Sequence, residues 1–191
     1  MKRRALLGAL GAGVVLAGCG QQESAGGTKA AVPVSLEAIA AEAKGFNVGS
    51  TMSTRVVYVF FDPQCPHCGV LWNAARPLKG QARFVWIPVA LLNDKSAAQG
   101  AVILDAADPV AAMDRHEASL QSQQGGITAM GVSEAQKKAV QHNTELLNRF
   151  GFSAVPSIVG KNALTGEVVT IEGSLPTAAL AQRLGLTVPN S

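Results

Sequence analysis

Apolar and polar positions along this chain repeat with two periods, and the switches between them mark the elements. Residues 56–61, Val-Val-Tyr-Val-Phe-Phe, run with no polar break except the tyrosine hydroxyl. Such a run predicts a strand covered on both faces. It stops at Asp62-Pro63-Gln64, and residues 66–76 then read as a helix closed by Pro77. Residues 82–89 alternate again. Phe84 and Trp86 face one way, and Val85, Ile87 and Val89 the other. Pro88 cannot donate to a ladder and marks the strand end. A strand, a helix and a strand in that order predict parallel neighbours joined by a right-handed crossover.

Helical spacing governs most of the remainder. Ser35 is a candidate N-cap for residues 36–44, with Leu36, Ile39, Ala40 and Ala43 on one face and Gly45 as the stop. Residues 46–54 lead into the first strand and carry no strong strand signal of their own. Asp94 is a candidate cap for residues 95–106, and Asp108-Pro109 opens a helix to about residue 120. A Gln/Gly-rich break follows over 121–131. Ser133 with Gln136 reads as a capping box for a helix to residue 149. Its inner face would hold Ala139, Leu146 and Phe150, bordered by His142 or Asn143. Residues 157–159 and 168–172 read as strands joined by a short turn, hence antiparallel, and residues 175–184 as a last helix. The plan is a βαβ unit, a helical insertion at about residues 93–150, and a ββα unit. It predicts an α/β domain with a mixed central sheet and helices on both faces.

Charge narrows the partners. The 191 residues carry a formal net charge of +3, and Lys2, Arg3 and Arg4 account for it. The rest of the chain is balanced, without the standing positive field that nucleic-acid binding needs. Those three residues precede an apolar stretch from Ala5 to Ala17, too short for a comfortable membrane span and suited to a signal peptide. Leu16-Ala17-Gly18-Cys19 closes it and resembles a bacterial lipobox. That resemblance implies cleavage before Cys19 and a lipid anchor on it. Gly20 in the next position favours the outer membrane, facing the periplasm. Residues 1–18 are therefore expected to be a lipoprotein signal peptide, 19–33 a lipidated cysteine with a flexible tether, and 34–191 the folded domain.

Cysteine usage then points to the chemistry. Of three cysteines, Cys65 and Cys68 stand two residues apart at the start of the predicted helix. Unpaired N–H groups and the helix dipole favour a thiolate there. Cys65 is the expected nucleophile and Cys68, one turn further in, the expected resolving thiol. Pro66 suits the first helical position. His67 is expected to lower the Cys65 pKa by its charge and make the couple more oxidising. A tetrahedral metal site lacks a second cysteine pair. His116, on what reads as a solvated face beside Arg115 and Glu117, and His142 have no support as ligands. Val155-Pro156, between a helix end and a strand, is a candidate cis peptide that would lie beside Cys65 and offer backbone groups to a substrate strand.

Residues 57–77, with Cys65-Pro66-His67-Cys68 and Leu71-Trp72-Asn73-Ala74-Ala75-Arg76-Pro77 at their heart, resemble the catalytic domain of the bacterial periplasmic DsbC/DsbG disulfide isomerase family, its DsbG branch above all. The resemblance extends over roughly residues 34–186. It implies a thioredoxin-like fold, a redox-active Cys65–Cys68 disulfide with no other cofactor, exported proteins as substrates and a membrane redox partner of the DsbB or DsbD type. Two departures qualify it. The family's N-terminal dimerisation domain finds no room between Cys19 and Ser35, so the folded domain is expected to be monomeric. Cys-Pro-His-Cys, and Val before the proline, resemble the DsbA oxidase type instead. The leading expectation is an oxidoreductase exchanging disulfides with exported proteins. A DsbG-like reductase or isomerase acting on mixed disulfides or protein sulfenic acids comes second, and a non-enzymatic chaperone-like binding module third.

Overall fold

The computed structural model describes residues 31–189. The expected signal peptide, the lipid anchor at Cys19 and most of the tether lie outside the described residues. Among the described residues, no helix is long and apolar enough to cross a membrane.

Five strands form one mixed sheet in the order β1-β3-β2-β4-β5: β1 (Phe46–Gly49), β2 (Val56–Phe61), β3 (Arg83–Pro88), β4 (Ser157–Lys161) and β5 (Val168–Glu172). β2 sits at the centre, parallel to β3 with Val59 opposite Trp86, and antiparallel to β4 with Val59 opposite Ile158. β1 and β5 close the two edges in antiparallel pairing. Central placement explains the apolar run of β2, whose last five residues are all buried. Its alternate side chains feed two cores. Val57, Val59 and Phe61 join Phe84 and Trp86 on one face, while Tyr58 and Phe60 join Ile87 and Val89 on the other.

Helices cover both faces. α2 (Pro66–Ala75) and α6 (Thr177–Leu184) pack on the first core through Leu71, Trp72, Leu180 and Leu184. α1 (Leu36–Glu42) and α5 (Glu134–Arg149) pack on the second through Ile39, Leu146 and Leu147. α3 (Asp94–Asp105) and α4 (Pro109–Gln121) complete the helical insertion between β3 and β4 and send Ile103 and Met113 into the first core. The fold class read from the sequence is the one observed.

The caps explain most helix starts. Ser35 accepts from Ala38 N–H at 3.1 Å, and Ser133 with Gln136 forms the expected capping box. Asp108 accepts from Ala111 N–H at 3.0 Å, with Pro109 in the first turn where its missing N–H costs nothing. Three expectations need correction. α3 is capped by Asn93 with Ser96, one residue before the expected Asp94, because the asparagine side chain reaches the first-turn N–H groups. Ala40 is exposed, and Ala38 packs inward in its place. Residues 46–49 are a strand after all: four residues with one buried aromatic, paired on one side only to β3, give too short a pattern to read.

Candidate active site

β2 delivers Cys65 to the N-cap of α2, and Pro66 opens the helix. Cys65 N–H donates to Asp62 O at 3.0 Å, and its carbonyl accepts from Cys68 N–H at 3.0 Å. The helix start therefore places the two thiols one turn apart on the same side. Cys65 is 5% exposed and Cys68 fully buried. Both are free thiols in this structure. Pro66 and His67 are exposed beside them. The Val155–Pro156 peptide is cis, and the Cys65 thiol reaches the Val155 carbonyl at 3.5 Å. All the residues singled out around the dithiol thus meet at one place. Cys19 lies outside the described residues.

The two sulfurs are electrostatically unlike. The Cys65 thiol is lowered to about 6, chiefly by the hydrogen bond it receives from the Cys68 thiol. Burial opposes this, and the backbone N–H groups of Cys68 and His67 and the His67 charge add to it in that order. Cys68 moves the other way. Burial pushes its thiol far above the ordinary range, and its contact with Cys65 adds to the effect. One turn of helix therefore holds one thiol poised to ionise and one that stays protonated.

The link before Cys65 is held from three directions. The buried Asp62 carboxylate accepts four hydrogen bonds, from the N–H groups of Gln64 (2.8 Å), Leu91 (2.7 Å) and Leu92 (3.0 Å) and from the Ser96 hydroxyl (2.7 Å). It ties the end of β2 to the loop after β3 and to α3. Gln64 Nε2 donates to Gln99 Oε1 at 2.5 Å and to Gly125 O at 3.2 Å. The third hold is His116, whose Nδ1 accepts from Ile127 N–H at 3.0 Å while Nε2 lies 2.6 Å from Pro63 O. The first contact fixes the tautomer, so Nε2–H donates to Pro63.

His116 and Glu117 overturn the expectation of a solvated face. They are 0% and 6% exposed, whereas Arg115 just before them is exposed. The signal was present: Ala112 and Met113 precede them by one turn, so 112, 113, 116 and 117 form one stripe. Glu117 packs on Gly69, where an added methyl would collide with its Oε2. Burial and then the Cys65 charge push its carboxyl up to about 7. Among the described residues no group of three or more His, Cys, Asp or Glu side chains could hold a metal ion.

Compared with known protein families, the chain matches no family profile. It is 32% identical to the thiol:disulfide interchange protein DsbG of Pseudomonas aeruginosa over 143 residues, 72% of this chain and 54% of that protein. To the DsbG of Escherichia coli it is 33% identical over 105 residues, 54% of this chain and 42% of that protein. The chain thus spans about half the length of the curated relatives it matches. Its fold is shared with the catalytic domain of Proteus mirabilis ScsC, at a TM-score of 0.58 and 17% identity over 78% of this chain and 96% of that one. This chain is a thioredoxin-fold protein related to the Dsb-family oxidoreductases, and its Cys65–Cys68 pair has the spacing and setting of a thiol–disulfide site.

Proposed function

We propose that the protein is a periplasmic thiol:disulfide oxidoreductase that exchanges disulfides with exported proteins, Cys65 being the nucleophile and Cys68 the resolving thiol. The observation that carries this reading is the opposed state of the two sulfurs, one lowered to about 6 at a helix N-cap and the other buried and pushed up. In the oxidising direction a substrate thiolate attacks Cys65 Sγ. The Cys65–Cys68 bond breaks, its electron pair goes to Cys68, and Cys68 takes a proton. A second substrate thiolate then attacks the substrate sulfur of the mixed disulfide, and Cys65 leaves with the electron pair. A stabilised Cys65 thiolate is a good leaving group, which favours this direction. The cis Val155–Pro156 backbone beside Cys65 is where an extended substrate segment would bind.

Leu16-Ala17-Gly18-Cys19 supports a lipid anchor through Cys19, with the outer membrane favoured by Gly20. Similarity to DsbG favours a second reading. In it the dithiol is kept reduced by a DsbD-type membrane partner and acts on mixed disulfides or sulfenic acids. An oxidase would instead be kept oxidised by a DsbB-type partner.

Equilibration with glutathione buffers tests the first reading. It expects a potential on the oxidising side of the roughly −270 to −120 mV that such pairs span, and a resting disulfide in cells. A resting dithiol transfers the role to the second reading. A protein inert toward insulin, toward reduced unfolded substrates and toward glutathione disulfide has neither function.

A further inference from the structure

β2 carries one polar group in its apolar run, the Tyr58 hydroxyl, and the protein gives that group no partner. Tyr58 is 8% exposed, with its ring in the second core. Its hydroxyl makes no hydrogen bond among the described residues. Burial raises its pKa above the ordinary 10.0, so it stays a donor at neutral pH. A phenol buried this deeply ordinarily has a partner for its O–H. Tyr58 instead lines a cavity of about 450 Å³, enclosed by α1, the residues entering β2 and the turn after β4. Val56 opens β2, and Cys65 follows the other end of the strand. The cavity and the dithiol therefore lie at opposite ends of β2.

The side chains around the cavity say what it would take. Leu36, Ala40 and Val56 give it an apolar wall, and Arg55 and Lys161 add two cations. Lys161 forms no ion pair among the described residues, and the Arg55 guanidinium reaches only the Gln81 carbonyl, at 3.5 Å. Arg83, opposite Val56 on β3, adds a third positive charge close enough to act on the Tyr58 hydroxyl. Its Nε is buried without an acceptor. Against these stands one carboxylate, Glu37, which already accepts from the Ser35 hydroxyl at 3.0 Å. Donors and positive charge are therefore in excess beside an apolar surface. Sites for small organic anions have this make-up, a largely apolar lining with a few convergent polar groups.

We propose that this cavity binds a small organic monocarboxylate. The carboxylate accepts the Tyr58 O–H and is attracted by Lys161 and Arg55, while the apolar body lies against Leu36, Ala40 and Val56. Charge selects this class over its neighbours. A neutral alcohol of the same shape gains nothing from the two cations. A doubly charged phosphate ester meets Glu37, and like charges at close range repel. Binding is non-covalent and uses none of the residues around the dithiol, so exchange activity at Cys65 neither supports nor opposes it.

Tyr58 is the only tyrosine of the chain, so an isotope label at the tyrosine Cζ gives a single resonance that reports on this cavity alone. The labelled full-length protein is titrated with sodium benzoate at about pH 8, where phosphate esters carry two charges. Benzyl alcohol and phenyl phosphate serve as the neutral and doubly charged counterparts. Benzoate should move the resonance saturably, with half-saturation at about millimolar concentration, the range for a ligand of this size. Each counterpart should bind more weakly, by about fivefold. Lys161→Gln should weaken benzoate by about two- to fivefold. Tyr58→Phe, followed through the relaxation of benzoate's own protons, should weaken it by about tenfold, for one lost hydrogen bond to a charge. The proposal is overturned by a resonance that does not move up to about 50 mM benzoate, by benzyl alcohol binding as tightly as benzoate, or by a Tyr58→Phe protein with wild-type affinity. Tighter binding of phenyl phosphate than of benzoate overturns the assignment to carboxylates. The wild-type titrations are decisive by themselves, so the test does not depend on a variant folding.

Discussion

The His116 ring donates from Nε2 to the Pro63 carbonyl at 2.6 Å and accepts from the Ile127 N–H at Nδ1, so one buried imidazole fastens the approach to Cys65 to the loop after α4. Close approach at Gly126, whose φ is +90°, makes this possible: an added methyl would come within 2.5 Å of the ring. Glycine takes that left-handed backbone without a steric penalty.

His116 must be neutral for both bonds. Burial lowers its pKa, so the folded state binds the proton less readily than the unfolded chain. The stability it contributes is present above the unfolded value, 6.5, and lost as pH falls below it. His116→Phe should cost about 2–4 kcal/mol at neutral pH, from one lost donor and one N–H left unpaired. Urea unfolding from about pH 7 to 5 should show a smaller acid loss in the variant than in the wild type.

Cys65 owes its low pKa first to the Cys68 thiol and only last to the His67 charge. Cys68→Ala should raise the Cys65 midpoint by roughly one to two pH units, whereas Cys68→Ser keeps a donor and most of the effect. His67→Ala should raise it by less, about half a unit. Ultraviolet thiolate absorbance measures all three against a wild-type midpoint of about 6. A larger effect at His67 than at Cys68 would return the tuning role to the imidazole. Both Cys68 variants should also accumulate substrates as mixed disulfides on Cys65.

Asp62 holds three segments with one side chain. Asp62→Ala leaves the N–H groups of Gln64, Leu91 and Leu92 without their acceptor, and should cost about 3 kcal/mol or more in denaturant unfolding. Asp62→Asn, which keeps one acceptor oxygen, should cost less. Equal losses would mean that charge, rather than acceptor geometry, holds the turn.

Glu117 carries a stability signature of its own. Its folded pKa is raised to about 7 from 4.5, so the folded state holds the proton longer than the unfolded chain. The folded reduced protein therefore loses stability as pH rises across that interval. Glu117→Gln should be more stable than wild type above about pH 7, by on the order of 2 kcal/mol, and nearly neutral in effect below 4.5. Thermal melts at the two ends of the interval give the sign directly.

Much of this was legible in the chain because local rules wrote it. Ser133 and Gln136 name a capping box within four residues, and Asp108-Pro109 names a helix start within two. The Val-rich run of β2 signals a central strand because a strand buried on both faces has no polar side to show. β1 was hidden because its pairing partner, β3, is remote in sequence and its own four residues hold too little pattern. His116 and Glu117 were misjudged because charged and polar letters read as solvent, whereas their burial is set by contacts from Pro63, Gly69 and Ile127.

By itself, then, the sequence determined the candidate site: a Cys-Pro-His-Cys at a helix start, with the spacing that puts two sulfurs on one turn. The tertiary structure decided how those sulfurs differ and what surrounds them. The depth of Cys68, the Val155 carbonyl beside Cys65, the saturated Asp62 and the unpaired Glu117 all arise from segments far apart along the chain. Burial and electrostatic coupling depend on distances in space, and no local pattern of residues encodes them.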